Sequence, residues 1–402
     1  MKILLFCSNF PKDKYETIIG GVVKNPFVHS SILQSFGHDV TVITDGKSGK
    51  WNIEGVNVYG VGRSFLKGVL KAAYFDLKCL IRFLSIDSNN FDVIHIHTGN
   101  LISIYILKKI KFIKCPIIYS VHGTSVPELK TKLFGLIKIK YFLLKVNGFF
   151  QKYIDKIMWN NSDALISSSK YQILEMKKIY GIKNKNIHYM HNGVDNLKYF
   201  YDYKSGIDKK TELNIPSNEK VILFVGRWAR KKGLHIILEN AKRVIDKIPE
   251  IRFVCVLGNN NRDLEYRKEI FNTLKRCDLK NKFMIFENVS EMDLPKLYNM
   301  AHVCVFPSLQ YESIPTVIYE AMSCYKPIIT QNNWGIPEVL NNILLTEEDM
   351  VSGKIVDKII ELINDKKFYD SIVKEYKNDI IKFSRDKIHL KYLKIYESVV
   401  KR

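Results

Sequence analysis

Val221-Ile222-Leu223-Phe224-Val225-Gly226-Arg227-Trp228-Ala229-Arg230-Lys231-Lys232-Gly233-Leu234 decides the fold. The first five residues are an unbroken apolar run, the pattern of a short strand buried on both faces. A basic turn bounded by glycines follows, and a helical pattern begins at Leu234. Strand, short turn and helix make one unit of a parallel sheet wrapped by helices. The unit repeats outward in both directions. Apolar runs at 251–257, 283–286, 302–306 and 327–330 continue the series, and an earlier one occupies 2–7, 39–43, 91–96, 116–121, 163–167 and 187–190. A chain of 402 residues exceeds what a single core supports, so two Rossmann-like, doubly wound α/β domains are expected to face each other across a cleft. The boundaries read as 1–195, a polar linker at 196–218, a second domain at 219–365, and a helical segment at 366–402 packed outside the second sheet.

Composition narrows the class. Hydrophobic content of 46% without low-complexity tracts excludes a disordered chain. Seven scattered cysteines, with no Cys-x-x-Cys pair, argue against a disulfide framework and a zinc site and for a reducing compartment. The apolar run at 2–7 is too short for a signal peptide, and the greasy stretch from Leu133 to Leu144 is broken by Lys138 and Lys140, so no membrane span is expected. A cytoplasmic protein, peripheral on the inner face of the plasma membrane, is the expectation.

The net charge of +21 is placed unevenly, because residues 1–190 carry 27 basic against 12 acidic side chains. Such an excess points to an anionic partner for the first half. It peaks at 108–156, where eleven lysines face only Glu128 and Asp155 and where Phe134, Tyr141, Phe142, Phe149, Phe150 and Tyr153 are interleaved. That mixture suits an interfacial helix on anionic lipid, and hence a lipid-linked acceptor; a solvated lysine-rich face is the competing reading.

The turn at 226–233 sets Arg227 and Lys232 beside a helix start, where a forked donor, a point charge and the helix dipole converge on an anion such as a diphosphate. The bland alternative is a solvated basic turn. A second motif, Glu312-Ser313-Ile314-Pro315-Thr316-Val317-Ile318-Tyr319-Glu320-Ala321-Met322, follows the run at 302–306. Pro315 fits the first turn of a helix, which leaves Glu312 in the loop and Glu320 in the helix behind it. Two carboxylates at different depths can each accept bonds from paired sugar hydroxyls. No two aspartates lie two apart, so an Asp-x-Asp metal motif is absent from the sequence.

Taken together, Gly-Arg-x4-Lys-Gly and Glu-x7-Glu-Ala-Met resemble the retaining GT-B glycosyltransferases of family 4, also called glycosyl transferases group 1. The likeness extends to Gly20-Gly21, Gly37-His38-Asp39-Val40, His122-Gly123 and Asn192-Gly193-Val194-Asp195. It implies a hexosyltransferase using a nucleotide sugar, commonly a UDP sugar, with no metal and no other cofactor. On its positions Arg227 and Lys232 would bind the donor diphosphate, Glu320 the ribose and Glu312 the donor sugar. His122 would lie by the reacting sugar, and Gly20 and Gly21 would let the first loop approach the donor closely. A strand-end histidine satisfied by backbone remains the other reading of His122, and His95 and His97 read as structural. The chain departs from the family after Gly335-Ile336-Pro337-Glu338, where 339–346 replaces a longer glycine-rich loop.

Two other classes stay open. A sugar-nucleotide epimerase shares the two-domain design but lacks the Arg, Lys and paired Glu set together. A basic nucleic-acid-binding protein would need a recognition helix or an aromatic RNA-binding strand, and neither pattern is visible.

Overall fold

The computed structural model describes residues 1–13, 21–64, 66, 68–86, 90–123, 138–258, 263–309 and 313–401. Gly20 and Glu312 lie outside them. Two doubly wound α/β sheets are present, as the apolar runs require. The first has eight strands in the order β3-β4-β2-β1-β5-β6-β7-β8, formed by β1 (Lys2–Cys7), β2 (Asp39–Thr44), β3 (Ser48–Ile53), β4 (Val56–Val61), β5 (Val93–Ile96), β6 (Ile117–Val121), β7 (Ala164–Ser167) and β8 (Ile187–Tyr189). All pair in parallel except the β3–β4 hairpin. The second has six parallel strands in the order β11-β10-β9-β12-β13-β14, formed by β9 (Lys220–Arg227), β10 (Ile251–Gly258), β11 (Phe283–Glu287), β12 (Val303–Phe306), β13 (Ile328–Gln331) and β14 (Leu344–Leu345).

Every expected run is a strand. The unexpected hairpin β3–β4 has an exposed edge and few apolar residues, so no apolar run announces it. The strand faces alternate with period two. Ile3 and Leu5 pack with Val40, Val42 and Val93 on one side, whereas Leu4 and Phe6 pack with Phe75, Phe83 and Trp159 on the other.

The segment at 366–402 divides, contrary to the expectation that all of it covers the second sheet. Helix Lys366–Asp379 and the turn after it bury Ile372, Tyr376, Ile380 and Phe383 in the second core. The final helix, Arg385–Val400, crosses back and lays Ile388, Tyr392, Ile395, Tyr396 and Val399 on the first sheet. The charged residues that marked the segment occupy its outer face; five apolar and aromatic side chains at helical spacing decide where it docks. The linker likewise contains a helix, Tyr203–Glu212, capped by Asp202. Gly206 of that helix sits where a Cβ would collide with the Asn299 backbone.

Among the described residues no helix is long and apolar enough to cross a membrane.

Candidate active site

The carboxyl ends of the two sheets face one another. After β7, Ser168 Oγ donates to Ser313 Oγ at 2.8 Å, and Ser313 Oγ donates to Ser169 Oγ at 2.9 Å. Nearby, the Glu338 carboxylate accepts from the backbone N–H groups of Lys170 and Tyr171, at 2.8 and 2.9 Å. An anion from one domain thus caps a helix N-terminus in the other. His191 Nδ1 and the Tyr319 hydroxyl add a third crossing contact at 3.0 Å.

On the second-domain side, Arg227 ends β9 and a single 3-10 turn, Arg230–Lys232, leads to Gly233. Gly233 has φ +82°, and a Cβ there would run into the Pro307 carbonyl, so only glycine lets the turn lie this close to the end of β12. The helix Leu234–Lys247 begins directly after it. Lys232 is held down to about 7 by burial first, then by Arg227 and Lys231. Arg227, Lys231 and Lys232 thus lie together at the start of a helix, the setting in which proteins bind anions.

Glu320 lies in the helix Thr316–Ser323 and is buried. Its carboxylate accepts from Lys24 Nζ at 2.8 Å and from the Tyr298 hydroxyl at 2.8 Å. Lys24 comes from the opposite domain, on the helix Gly21–Ser35, and also meets Glu291 at 3.0 Å and the Tyr199 hydroxyl at 2.8 Å. Lys198 Nζ donates to the same Glu291 oxygen, Oε2, at 2.7 Å. Burial opposes charge on both partners, yet Glu320, Tyr199 and Glu291 hold the Lys24 ammonium well above its ordinary range. Burial likewise would raise Glu291, but Lys24 and Lys198 override it and keep that carboxyl at about 2. A cavity of about 460 Å³ opens between the domains beside this cluster, lined by Lys24, Asn192, Glu291, Thr316, Glu320 and Arg385. It reaches neither Arg227 and Lys232 nor His122.

His122 follows β6, its Nε2 3.0 Å from His97 Nδ1, and burial lowers it to about 4. Its side chain therefore bonds another imidazole, where the bland reading had backbone. Gly21 opens the first helix instead of lying in a loop. Among the described residues, His29, His95 and His97 form a group whose ring nitrogens lie within 4.8 Å of one another.

The geometry brings Glu320 to Lys24, and Arg227 to Lys232, while the sequence reading missed Lys24, Glu291, Tyr199 and Tyr298. The one available signal was Lys24 itself, three residues after Gly21 in an otherwise apolar and polar helix.

Two facing doubly wound sheets, with a cationic turn at one strand end, a buried carboxylate in the same domain and a lysine reaching it across the cleft, define a GT-B glycosyltransferase. The chain belongs to glycosyltransferase family 4: residues 19–196 match the family described as Glycosyltransferase Family 4, and residues 207–379 match Glycosyl transferases group 1. An uncharacterized glycosyltransferase of Methanocaldococcus jannaschii is 25% identical over 99% of this chain and 98% of its own length. The N,N'-diacetylbacillosaminyl-diphospho-undecaprenol alpha-1,3-N-acetylgalactosaminyltransferase of Campylobacter jejuni is 24% identical over 68% of this chain and 76% of its own. Among solved structures, sucrose-phosphate synthase from Thermosynechococcus elongatus superposes with a TM-score of 0.79 at 18% identity, covering 99% of this chain and 98% of that one. The Anabaena protein HepE in complex with UDP-glucose does so with a TM-score of 0.73 at 17% identity, covering all of both chains.

Proposed function

We propose that this glycosyltransferase moves a hexosyl group from a UDP sugar, with retention and without a metal, to a lipid-linked glycan acceptor of the cell envelope. The observation that carries the donor side is the cluster of Arg227, Lys231 and Lys232 at the end of β9, with Lys232 held at about 7 by burial and then by its cationic neighbours. In this reading the bond from the sugar's anomeric carbon to the diphosphate oxygen breaks, and the acceptor oxygen attacks from the same face. A phosphate oxygen takes the acceptor's proton, so no side-chain nucleophile is needed. Arg227 and Lys232 stabilise the charge that develops on the departing diphosphate, the work a cation would otherwise do. Glu320 receives the ribose hydroxyls after Lys24 withdraws, Glu312 and His122 address the sugar, and Gly20 and Gly21 admit it. The UDP sugar bound by HepE and the diphospho-undecaprenol substrate named for the Campylobacter relative support the choice of donor and acceptor. Residues 1–195 with the returning helix form the acceptor side, and 219–365 the nucleotide side.

The test is transfer of label from UDP sugars to a membrane lipid extract in excess EDTA. Label is expected in the lipid fraction. Label released only as free sugar, or interconverted without an acceptor, would favour the epimerase class, and activity restored by magnesium or manganese would end the metal-free mechanism.

Membrane docking belongs to the same proposal. On the helix Lys138–Asn160, Phe149, Phe150 and Tyr153 project into solvent, Phe149 with 71% of its surface exposed. Ile106, Ile110 and Phe112 are exposed on and after the helix Ile102–Lys109, and Leu70, Leu77, Ile81 and Leu84 on the helix Gly68–Ser85. Exposed apolar groups gathered on one domain mark a docking face, and Lys109, Lys111, Lys114 and Lys156 beside them supply charge for anionic head groups. Lys130, Lys132 and Phe134, counted for this face from the sequence, lie outside the described residues. The protein is expected to float with anionic vesicles at low salt and to release as salt rises, since each surface lysine contributes about 1 kcal/mol and is screened within a Debye length. Phe149→Ser with Phe150→Ser should reduce flotation; a wild-type protein that stays at the bottom of the gradient would remove the membrane from the proposal.

A further inference from the structure

Behind His122 runs an unbroken file of buried hydrogen-bonding side chains drawn from four separate elements. His97 Nδ1 meets His122 Nε2 at 3.0 Å, and His97 Nε2 meets His29 Nδ1 at 3.0 Å. His29 Nε2 lies 3.2 Å from the Tyr396 hydroxyl, which lies 2.7 Å from His95 Nδ1. His95 Nε2 then meets Ser120 Oγ at 2.7 Å, and the Tyr392 hydroxyl also bonds Ser120. His29, His95, His97 and Tyr396 are at most 4% exposed. Tyr392 stacks on His29 with ring centroids 3.6 Å apart, which fixes the plane of that imidazole.

The groups facing this file are themselves imidazoles and hydroxyls. Burial first, then His97, His389 and His122, keep His29 well below its ordinary range. Burial with His29 and His122 does the same for His95, and burial with His95 and His122 for His97. All are neutral at physiological pH. A neutral imidazole donates from one nitrogen and accepts at the other, so the file can run in only two directions. If protons point away from the cleft, His122 donates Nε2–H to His97 and its Nδ1 is a bare acceptor. If they point toward it, Ser120 donates to His95, His95 to Tyr396, Tyr396 to His29, His29 to His97 and His97 to His122, whose proton then sits on Nδ1. In either direction His29, His95, His97 and His122 carry their protons on the same ring nitrogen, Nε2 in the first case and Nδ1 in the second.

We infer that Ser120, His95, Tyr396, His29 and His97, with Tyr392 at the end of the file, are positioning residues that lock His122 in a single tautomer shared by all four imidazoles, so that its Nδ1 meets an oxygen of the sugar in one fixed hydrogen-bonding role. This rests on the reading of His122 as a sugar-facing group. It also gives the final helix a part in the site, with Tyr396 midway along the file and Tyr392 at its end. Metal ligation by His29, His95 and His97 would compete for the same nitrogens, each of which already has a hydrogen-bond partner.

The tautomers are read directly from long-range proton–nitrogen correlation spectra of the protein labelled with ¹⁵N-histidine, without donor or acceptor. Among its ten histidines, His29, His95, His97 and His122 are expected in one common tautomer, all Nδ1–H or all Nε2–H, and are not expected to titrate near pH 6.5. Tyr396→Phe, which cuts the file while keeping the ring, and the more peripheral Tyr392→Phe should each turn His122 into a mixture of both tautomers. In turnover they should lower kcat several-fold and leave donor KM near its wild-type value. A mixture of tautomers at His122 in the wild type, different tautomers among the four imidazoles, or a tautomer indifferent to both substitutions would overturn the inference. So would one equivalent of Zn²⁺ shifting His29, His95 and His97 together, which would make the group a metal site. Failure of UDP to bind would defeat the transferase reading and leave the tautomer pattern standing, so the two failures are distinguishable.

Discussion

Lys232→Met is expected to weaken binding of UDP sharply while raising the temperature of unfolding. The folded protein holds Lys232 at about 7, against an ordinary lysine value near 10.5, because of burial and the neighbouring Arg227 and Lys231. The unfolded chain therefore binds more protons between about pH 7 and 10.5, and stability rises with pH across that window. Below it the folded state carries a partly buried cation at a cost, which methionine of similar length removes. The same charge is what a diphosphate needs. Removing one charge-assisted contact from a desolvated site costs about 2–4 kcal/mol, or roughly 30- to 1,000-fold in affinity. Arg227→Ala should show a comparable loss. Titration calorimetry from pH 6.5 to 8.5 adds a second signature: wild-type affinity should fall as pH rises, because binding must then return a proton to Lys232, whereas the methionine variant should be flat. Unchanged UDP affinity in both variants would remove the basic turn from the site.

Lys24→Met is the converse case, a substitution expected to destabilise severely. It leaves Glu320 and Glu291 buried without their shared cation, and stripping one partner from a buried ion cluster costs about 3–5 kcal/mol. The acid limb of stability carries its signature. Glu291 is held at about 2, below its unfolded value near 4.5, so its contribution is complete above about pH 4.5 and disappears as pH falls through about 2. In Lys24→Met that acid-dependent loss should shrink, Lys198 alone remaining to hold the carboxylate. Differential scanning calorimetry of wild type and variant between pH 3 and 7 measures both effects. Equal unfolding temperatures at pH 7 would show that the Lys24 cluster does not stabilise the closed cleft.

The fold was legible because every strand of a doubly wound sheet except its edges is buried on both faces, which writes it as an apolar run. The hairpin β3–β4 escaped because it is an edge, half exposed, with Lys50, Asn52 and Asn57 among its residues. Gly233 and the cations before it could be read locally, since a turn between a strand and a helix is built from neighbours in sequence. The meeting of Lys24 with Glu291 and Glu320 could not. They come from positions far apart in the chain, and only the facing of two domains turns three ordinary surface-type residues into a buried cluster. The histidines show the same limit: His95 and His97 were read as structural from their strand, and nothing in that strand announces His29 or Tyr396.

The backbone passes between the domains at two neighbouring places, and their adjacency limits how the molecule can flex. Val194 pairs with Ser384 as an isolated parallel bridge, Val194 N–H donates to the Phe383 carbonyl at 2.9 Å, and the Arg385 N–H donates to the Asn196 side chain at 3.2 Å. Gly193, at φ +73°, lies so close to Ile388 and the Phe383 carbonyl that any side chain would wedge the two crossings apart. Two ribbons stitched side by side behave as a leaf hinge: they bend about one line and resist twist and slide. Swinging the domains open would part Lys24 from Glu320, whereas the final helix travels with the first sheet as one body. The imidazole file behind His122 therefore keeps its geometry through each swing, and only the ionic latch has to be remade.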